Sequence, residues 1–175
     1  MTHTARLPLD GITVVEFSHI IMGPACGAVL ADLGADVIRV ETLDGGDRAR
    51  RANGVFAYFN RNKRCICIDL KSPAGLAVAR DLLGTADALL ENFAPGTMDR
   101  LGLGWDAVHA LNPRLIYCVL KGFLPGPYDH RASLDELAQF MSGLAYMTGP
   151  PGQPLRAGAS VVDIMGGTMG ALAVL

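Results

Sequence analysis

The stretch "CICIDLKSPAGLAVARDLLGTADALLEN", Cys65 to Asn92, carries one full unit of the chain's architecture. "CICIDL" is a short apolar, β-branched run and predicts a strand. "SPAGLAVARDLLG" predicts a helix with both ends marked. Ser72 stands as N-cap, Pro73 takes the first helical position where its missing N–H is no loss, and Gly84 sits just past the end. "ALLEN" from Ala88 returns to a strand. Strand, helix and strand in this order predict two parallel strands joined by a right-handed crossover.

Outward from this unit the same beat continues. "ITVVEF" from Ile12, "DVIRVE" from Asp36 and "LIYCVL" from Leu115 complete a set of five runs that start about 25 residues apart. "WDAVHALNP" predicts a helix with Trp105, Val108 and Leu111 on one face, ending before Pro113. In "SLDELAQFMSGLAYMTG", Ser133 and Glu136 have capping-box spacing and predict a helix start. "DGGDRARRANG", between Thr42 and Lys63, reads as a polar loop, and loops of that length in a compact domain are usually functional. The outline is an α/β fold: a doubly wound, mostly parallel, Rossmann-like sheet, which binds ligands at the C-terminal ends of its strands.

With 50% hydrophobic and 18% charged residues over 175 positions, the chain has enough apolar material for one ordered core. Fifteen basic and 17 acidic groups leave a net charge of −2, which offers no overall attraction to nucleic acid or to an anionic membrane, so any anion binding must be local. "MTHTARLPLDG" lacks the basic flank and apolar run of a secretory signal, and a cytoplasmic location is expected. Cys26, Cys65, Cys67 and Cys118 show no Cys-x-x-Cys pair; Cys65 and Cys67, two apart on a strand, are expected to be buried reduced thiols.

The motifs narrow the chemistry by exclusion. The first strand-to-helix turn, "FSHIIMGPACGAVLADLG", has Gly23 and Gly27 but no G-x-G-x-x-G, and no phosphate-loop motif occurs. There is no G-x-S-x-G elbow, and His3, His19, His109 and His130 have no H-x-x-x-H spacing, so neither a hydrolase triad nor a metal site is supported. His19, directly after the first strand, could line a pocket. Basic residues do gather in loops near strand ends: Arg48, Arg50, Arg51, Arg61, Lys63, Arg64, Lys71, Arg100 and Lys121. As a set they suit a phosphorylated ligand, although each alone could be a solvated surface charge.

Asp163 is the other signal. It is the one charge in "AGASVVDIMGGTMGALAVL", Ala157 to Leu175. A membrane span is disfavoured by the central carboxylate and four glycines. Two readings stay open on local grounds: a cap at a helix start, or a functional carboxylate in an apolar, glycine-lined pocket.

Taken in order, "LDGITVVEF", "LADLGADVIRVE", "NRNKRCICIDLKSPAG", "ADALLENFAPGTMDRLGLGWDAVHALNPRLIYC", "AQFMSGLAYMTG" and "VVDIMGG" run over nearly the whole chain and resemble the family III CoA-transferases, a group that includes carnitine-CoA transferases and α-methylacyl-CoA racemases. The resemblance implies interlocked homodimers with a large Rossmann-like domain and a smaller one. Residues 1–175 would be the N-terminal part of the large CoA-binding domain, the second domain lying outside this chain. It implies no prosthetic group, with coenzyme A and acyl-CoA as substrates. It places the active-site aspartate on Asp163, which attacks the donor thioester and passes through an aspartyl-CoA thioester. It places CoA contacts on Ile68 and Lys71 in "CIDLK", Asn92 and Phe93 in "ENF", and Arg100 in "TMDRLG", with Arg131 a further candidate.

Two departures bear on the reaction. A glutamine that formyl/oxalate members carry two residues after the first-turn histidine is Ile21 here, which points away from an oxalate-type substrate. The histidine base of the racemases is Leu134, which together with Gln139 favours transfer over racemisation. "KGFLPGPYDHR" and the helix after it look closer to members handling dicarboxylic acids such as mesaconate or succinate. The alternatives are an acyl-CoA racemase or isomerase of the same fold, or a non-catalytic CoA-binding subunit.

Overall fold

The structure is a computed structural model that describes residues 6–52 and 54–175; His3 and the start of the "MTHTARLPLDG" reading lie outside that range. Five strands, β1 (Thr13–Phe17), β2 (Asp36–Glu41), β3 (Lys63–Cys67), β4 (Ala88–Glu91) and β5 (Ile116–Val119), form one sheet in the order β3-β2-β1-β4-β5, every pair parallel. β1 is central, with Val15 beside Ile38 on one side and Leu89 on the other. β4 is buried along its whole length, as a strand covered on both faces must be.

Side-chain alternation splits the core into two layers. Val15, Phe17 and Leu89 pack with Ala79, Leu83 and Val108 of α3 (Pro73–Thr85) and α5 (Trp105–Leu111). Val14, Ala88 and Leu90 pack on the opposite face with Cys26 and Leu30 of α1 (Met22–Asp32) and Ala171 of α8 (Val161–Val174). Chain order reverses between β1 and β4: the chain leaves β1 toward β2 and leaves β4 toward β5. The connections diverge there and open a crevice at the carboxyl ends.

Several local expectations are corrected. β3 begins at Lys63, two residues before the run that marks it, because the Lys63 side chain is itself buried, its ammonium 2.8 Å from Glu16. Being an edge strand, β3 leaves Cys65 and Cys67 exposed; Cys26 is the buried thiol. The polar connection from Thr42 to Lys63 holds a 3-10 turn at Arg48–Arg51 and α2 (Val55–Phe59). Asp47 caps the turn, and the Arg50 guanidinium lies 3.7 Å from the Phe56 ring centroid. Ser72 caps α3 through the Gly75 N–H, as read, but Gly84 falls inside the helix. Of the α5 face only Val108 is buried; Trp105 and Leu111 are exposed. Ser133 and Glu136 form no capping box. α6 (Asp135–Met141) starts after Leu134, and Gly143, in the left-handed region at φ +83, separates it from α7 (Leu144–Thr148). A four-residue α4 (Thr97–Arg100) precedes α5. No helix among the described residues is long and apolar enough to cross a membrane.

The glycines of α8 explain its composition. A Cβ on Gly167 would stand 2.5 Å from the Met22 carbonyl and 2.9 Å from the Cys26 nitrogen, and one on Gly170 2.5 Å from Leu120 Cδ2. Glycine therefore lets α8 lie against the backbone of α1, which brings its first turn to the crevice. At a solvent-facing helical site Gly→Ala gains up to about 1 kcal/mol. Here Gly167→Ala is expected to lose about 1–3 kcal/mol through overpacking. Urea unfolding of the whole protein measures it, and a gain in stability would refute the close packing.

Candidate functional site

Asp163 lies in the first turn of α8, half-buried, and it is not the cap of that helix. Ser160 occupies the N-cap position without a side-chain bond; the Val162 and Asp163 amides instead donate to Asp135 Oδ1 at 2.9 and 3.1 Å. No hydrogen bond reaches the Asp163 carboxylate among the described residues. Burial and the neighbouring Asp135 carboxylate push its pKa up to about 6, against the pull of Arg156.

The crevice at the switch point holds this carboxylate in a cleft of about 440 Å³. Its walls are mostly apolar, with Ile20, Ile21, Met22, Phe93, Leu134 and Met165, and carry His19, Asn92, Lys121, Arg131 and Asp135 among them. The loops after β1 and β4 are locked together across the sheet. Asn92 Oδ1 accepts from the His19 backbone N–H at 2.9 Å and from His19 Nδ1 at 3.0 Å, and Asn92 Nδ2 donates to the His19 carbonyl at 3.0 Å. Burial lowers the His19 pKa, which favours the neutral ring, and the tautomer that suits Asn92 Oδ1 carries its proton on Nδ1.

A second cleft of about 570 Å³ meets the first at His19, Ile20, Phe93 and Leu134, which line both. Arg48 and Arg51 of the 3-10 turn line it, beside Asp44 and Gly46. The basic residues of the sequence now separate by role. Arg50 pairs with Glu41, Arg61 with Asp32, Lys63 with Glu16, Arg64 with Asp36 and Lys121 with Glu91. Arg48, Arg51, Lys71, Arg100 and Arg131 have no carboxylate partner among the described residues, and neither do Arg6, Arg80 and Arg114; of these eight, Arg48, Arg51 and Arg131 line a cleft.

Of the expected site residues, the structure gathers Asp163, Asn92, Phe93 and Arg131 around the first cleft. Lys71 and Arg100 are exposed and line neither cleft, Arg100 donating to Thr97 Oγ1 at 2.9 Å. Ile68 is 6% exposed, its side chain in the core with Phe93 packed against the same cluster. Sequence reasoning missed Asp135 as part of the site and Asp47 as the acceptor that holds the first turn. Ile20 adopts φ +64, a conformation branched residues rarely take, and its N–H donates to Asp47 Oδ2 at 3.0 Å. The only local sign of Asp135 was its i,i+4 spacing from Gln139.

Comparison with known proteins bears on the family and the fold. The sequence model of CoA-transferase family III matches residues 9–175. The chain is 44% identical over 176 residues to a succinate–glutarate CoA-transferase of Agrobacterium fabrum, covering 91% of this chain and 44% of that protein. It is 42% identical over 164 residues to a formyl-CoA:oxalate CoA-transferase of Rhodopseudomonas palustris, covering 89% of this chain and 39% of that one. A crystal structure of a CAIB/BAIF family protein from Brucella suis superimposes with a TM-score of 0.90 at 39% identity, over 96% of this chain and 48% of its own. The chain therefore spans somewhat less than half the length of the curated relatives it matches.

Proposed function

Because the chain belongs to CoA-transferase family III, we propose that it carries the nucleophile of a site that moves CoA from an acyl-CoA thioester to a free carboxylic acid. The observation that carries this reading is the setting of Asp163: a carboxylate in a mostly apolar cleft, bound by no donor among the described residues and raised to a pKa of about 6. Such a group is ionised at neutral pH, and without hydrogen bonds its lone pairs are available for attack.

A balanced sequence follows. An Asp163 oxygen attacks the thioester carbon of the donor; a C–O bond forms, the C–S bond breaks, and CoA leaves as thiolate with a mixed anhydride behind it. The thiolate attacks Asp163 Cγ, giving an aspartyl-CoA thioester and releasing the donor acid. The acceptor carboxylate attacks that thioester and expels the thiolate. The thiolate then takes the acceptor's acyl carbon, and Asp163 returns as a carboxylate. No proton and no net charge is gained or lost.

The second cleft, with Arg48 and Arg51, suits the phosphorylated part of CoA, and its junction with the first at His19 and Phe93 suits the thiol arm. Asn92 and Phe93 are proposed to line that arm and Ile68 to support Phe93 from below; Lys71 and Arg100 are proposed to meet phosphates that extend beyond the two clefts, with Arg131 of the first cleft a further candidate. The chain is proposed as the N-terminal part of the large CoA-binding domain, in a whole protein working as a cytoplasmic homodimer. Exposed Tyr146, Met147 and Leu172 on α7 and α8 support a covered surface there. Leu134 in the cleft cannot carry a proton, which favours transfer over racemisation. The succinate–glutarate relative favours dicarboxylic acids as partners, and Ile21 argues against oxalate among them.

The test is mass spectrometry of the whole protein mixed with a panel of acyl-CoAs. The expected result is an acyl or CoA adduct on the peptide that contains Asp163. Exchange proceeding with no adduct there, or with one on another residue, overturns the reading.

A further inference from the structure

A carboxylate in the first turn of a helix ordinarily gains from the free amides and the positive end of the helix dipole, which would lower its pKa. The Asp163 carboxylate takes no such hydrogen bond, because Asp135 accepts two of those amides. Asp135 is 7% exposed, and its Oδ1 accepts both the Val162 and the Asp163 amides. Its Oδ2 accepts from Gln139 Nε2 at 2.5 Å and lies 3.6 Å from Arg156. Gln139 is fully buried; its Oε1 accepts from the Ala157 N–H at 2.7 Å, and its Nε2 also lies 3.3 Å from the Ala159 carbonyl. Two side chains one turn apart on α6 therefore hold the segment from Ala157 to Asp163.

We propose that Asp135 is a positioning residue for the Asp163 nucleophile: it fixes the backbone that carries Asp163 and, by consuming the amides at the start of α8, leaves the Asp163 carboxylate without a donor and beside a second negative charge. The inference rests on Asp163 being the acyl acceptor. Acylation turns Asp163 from an anion into a neutral ester-like group, so the adjacent Asp135 charge disfavours the free enzyme more than the acylated one. Binding energy from α6 is thereby converted into nucleophilicity. The other charged or titratable groups facing Asp163 are His19 from the turn after β1, Lys121 after β5, Arg131 before α6 and Arg156 before α8, with Cys26 of α1 behind the helix. Of these, His19 has its pKa lowered by burial and Lys121 is bound to Glu91.

The test compares the whole protein with its Asp135→Asn and Arg156→Gln variants. Asp135→Asn keeps an oxygen for the two amides but removes the charge. Its kcat is expected to fall roughly 10- to 100-fold with KM for acyl-CoA little changed, as for a slightly misplaced reacting group. The acid limb of its rate profile should move to lower pH. Arg156→Gln sits at the exposed end of the pair and spares the fold; there the limb should move to higher pH, since Asp135 loses its counter-charge. Unchanged limbs in both variants overturn the proposal, as does a loss confined to melting temperature and KM, the mark of a purely structural role. Absence of an adduct on Asp163 in the parent protein would instead overturn the underlying reading.

Discussion

Asp163→Ala is expected to reduce CoA exchange by roughly 10³-fold or more, the scale seen when a covalent nucleophile is removed, while CoA still binds. Binding persists because the arginine-lined cleft and the His19–Asn92 lock do not involve the Asp163 side chain. Exchange kinetics together with calorimetric titration of CoA measure both halves, and parent-like turnover in the variant would end the nucleophile assignment. The pH dependence follows from the same group. With a pKa near 6, Asp163 becomes protonated and inert below that value, so the acid limb of the rate profile is expected near pH 6 rather than near the ordinary aspartate value of 3.8.

Stability should run the other way. Between pH 3.8 and about 6 the folded protein binds a proton that the unfolded chain does not, so this group's contribution is fully present at low pH and is lost as pH rises through 6. Asp163→Asn should therefore melt above the parent at pH 8, with the difference vanishing near pH 4. On the proposed function, that cost at working pH is the one expected of a carboxylate kept reactive in the cleft.

The strands were legible because a parallel sheet covered on both faces writes itself as continuous apolar runs, and β1 and β4 do so. β3 was displaced because Lys63, a charged residue, begins it; a lysine whose ammonium ends on a buried glutamate cannot be told from a loop lysine by composition. The 3-10 turn at Arg48–Arg51 in the Thr42–Lys63 connection has the same cause, since Arg50 on Glu41 and Asp47 on Arg39 hold it, whereas the apolar α2 that follows is only five residues long and too short to show a helical period. For the site, Asp163 stood out because a lone charge in an apolar run is anomalous by itself. Asp135 did not, because its partners Val162 and Asp163 lie 27 and 28 residues away and no local period encodes such a contact.

The largest effect on the fold itself is expected from Arg39→Ala. Arg39 is fully buried, donates to Glu16 at 2.6 Å, to Asn60 at 2.7 Å and to the Ser18 carbonyl at 3.1 Å, and is paired with Asp47. Lys63 shares the Glu16 carboxylate from the other side. Truncating one partner of such a network strands the others without solvent, which costs about 3–5 kcal/mol, a large part of the 5–15 kcal/mol that typically holds a domain together. The denaturant midpoint of the whole protein should drop accordingly at unchanged slope. Breaking the exposed Arg64–Asp36 pair, whose side chains are 67% and 46% accessible, should change stability by less than about 1 kcal/mol. A loss of similar size in both variants would show that burial is not what gives the network its weight. The network also reaches the cleft, because the Asp47 oxygen paired with Arg39 is the one that accepts the Ile20 N–H. Freed from it, Ile20 would leave its left-handed conformation, and the wall shared by the two clefts would move with it. Asp47→Ala should therefore raise KM for acyl-CoA with a smaller loss of stability than Arg39→Ala.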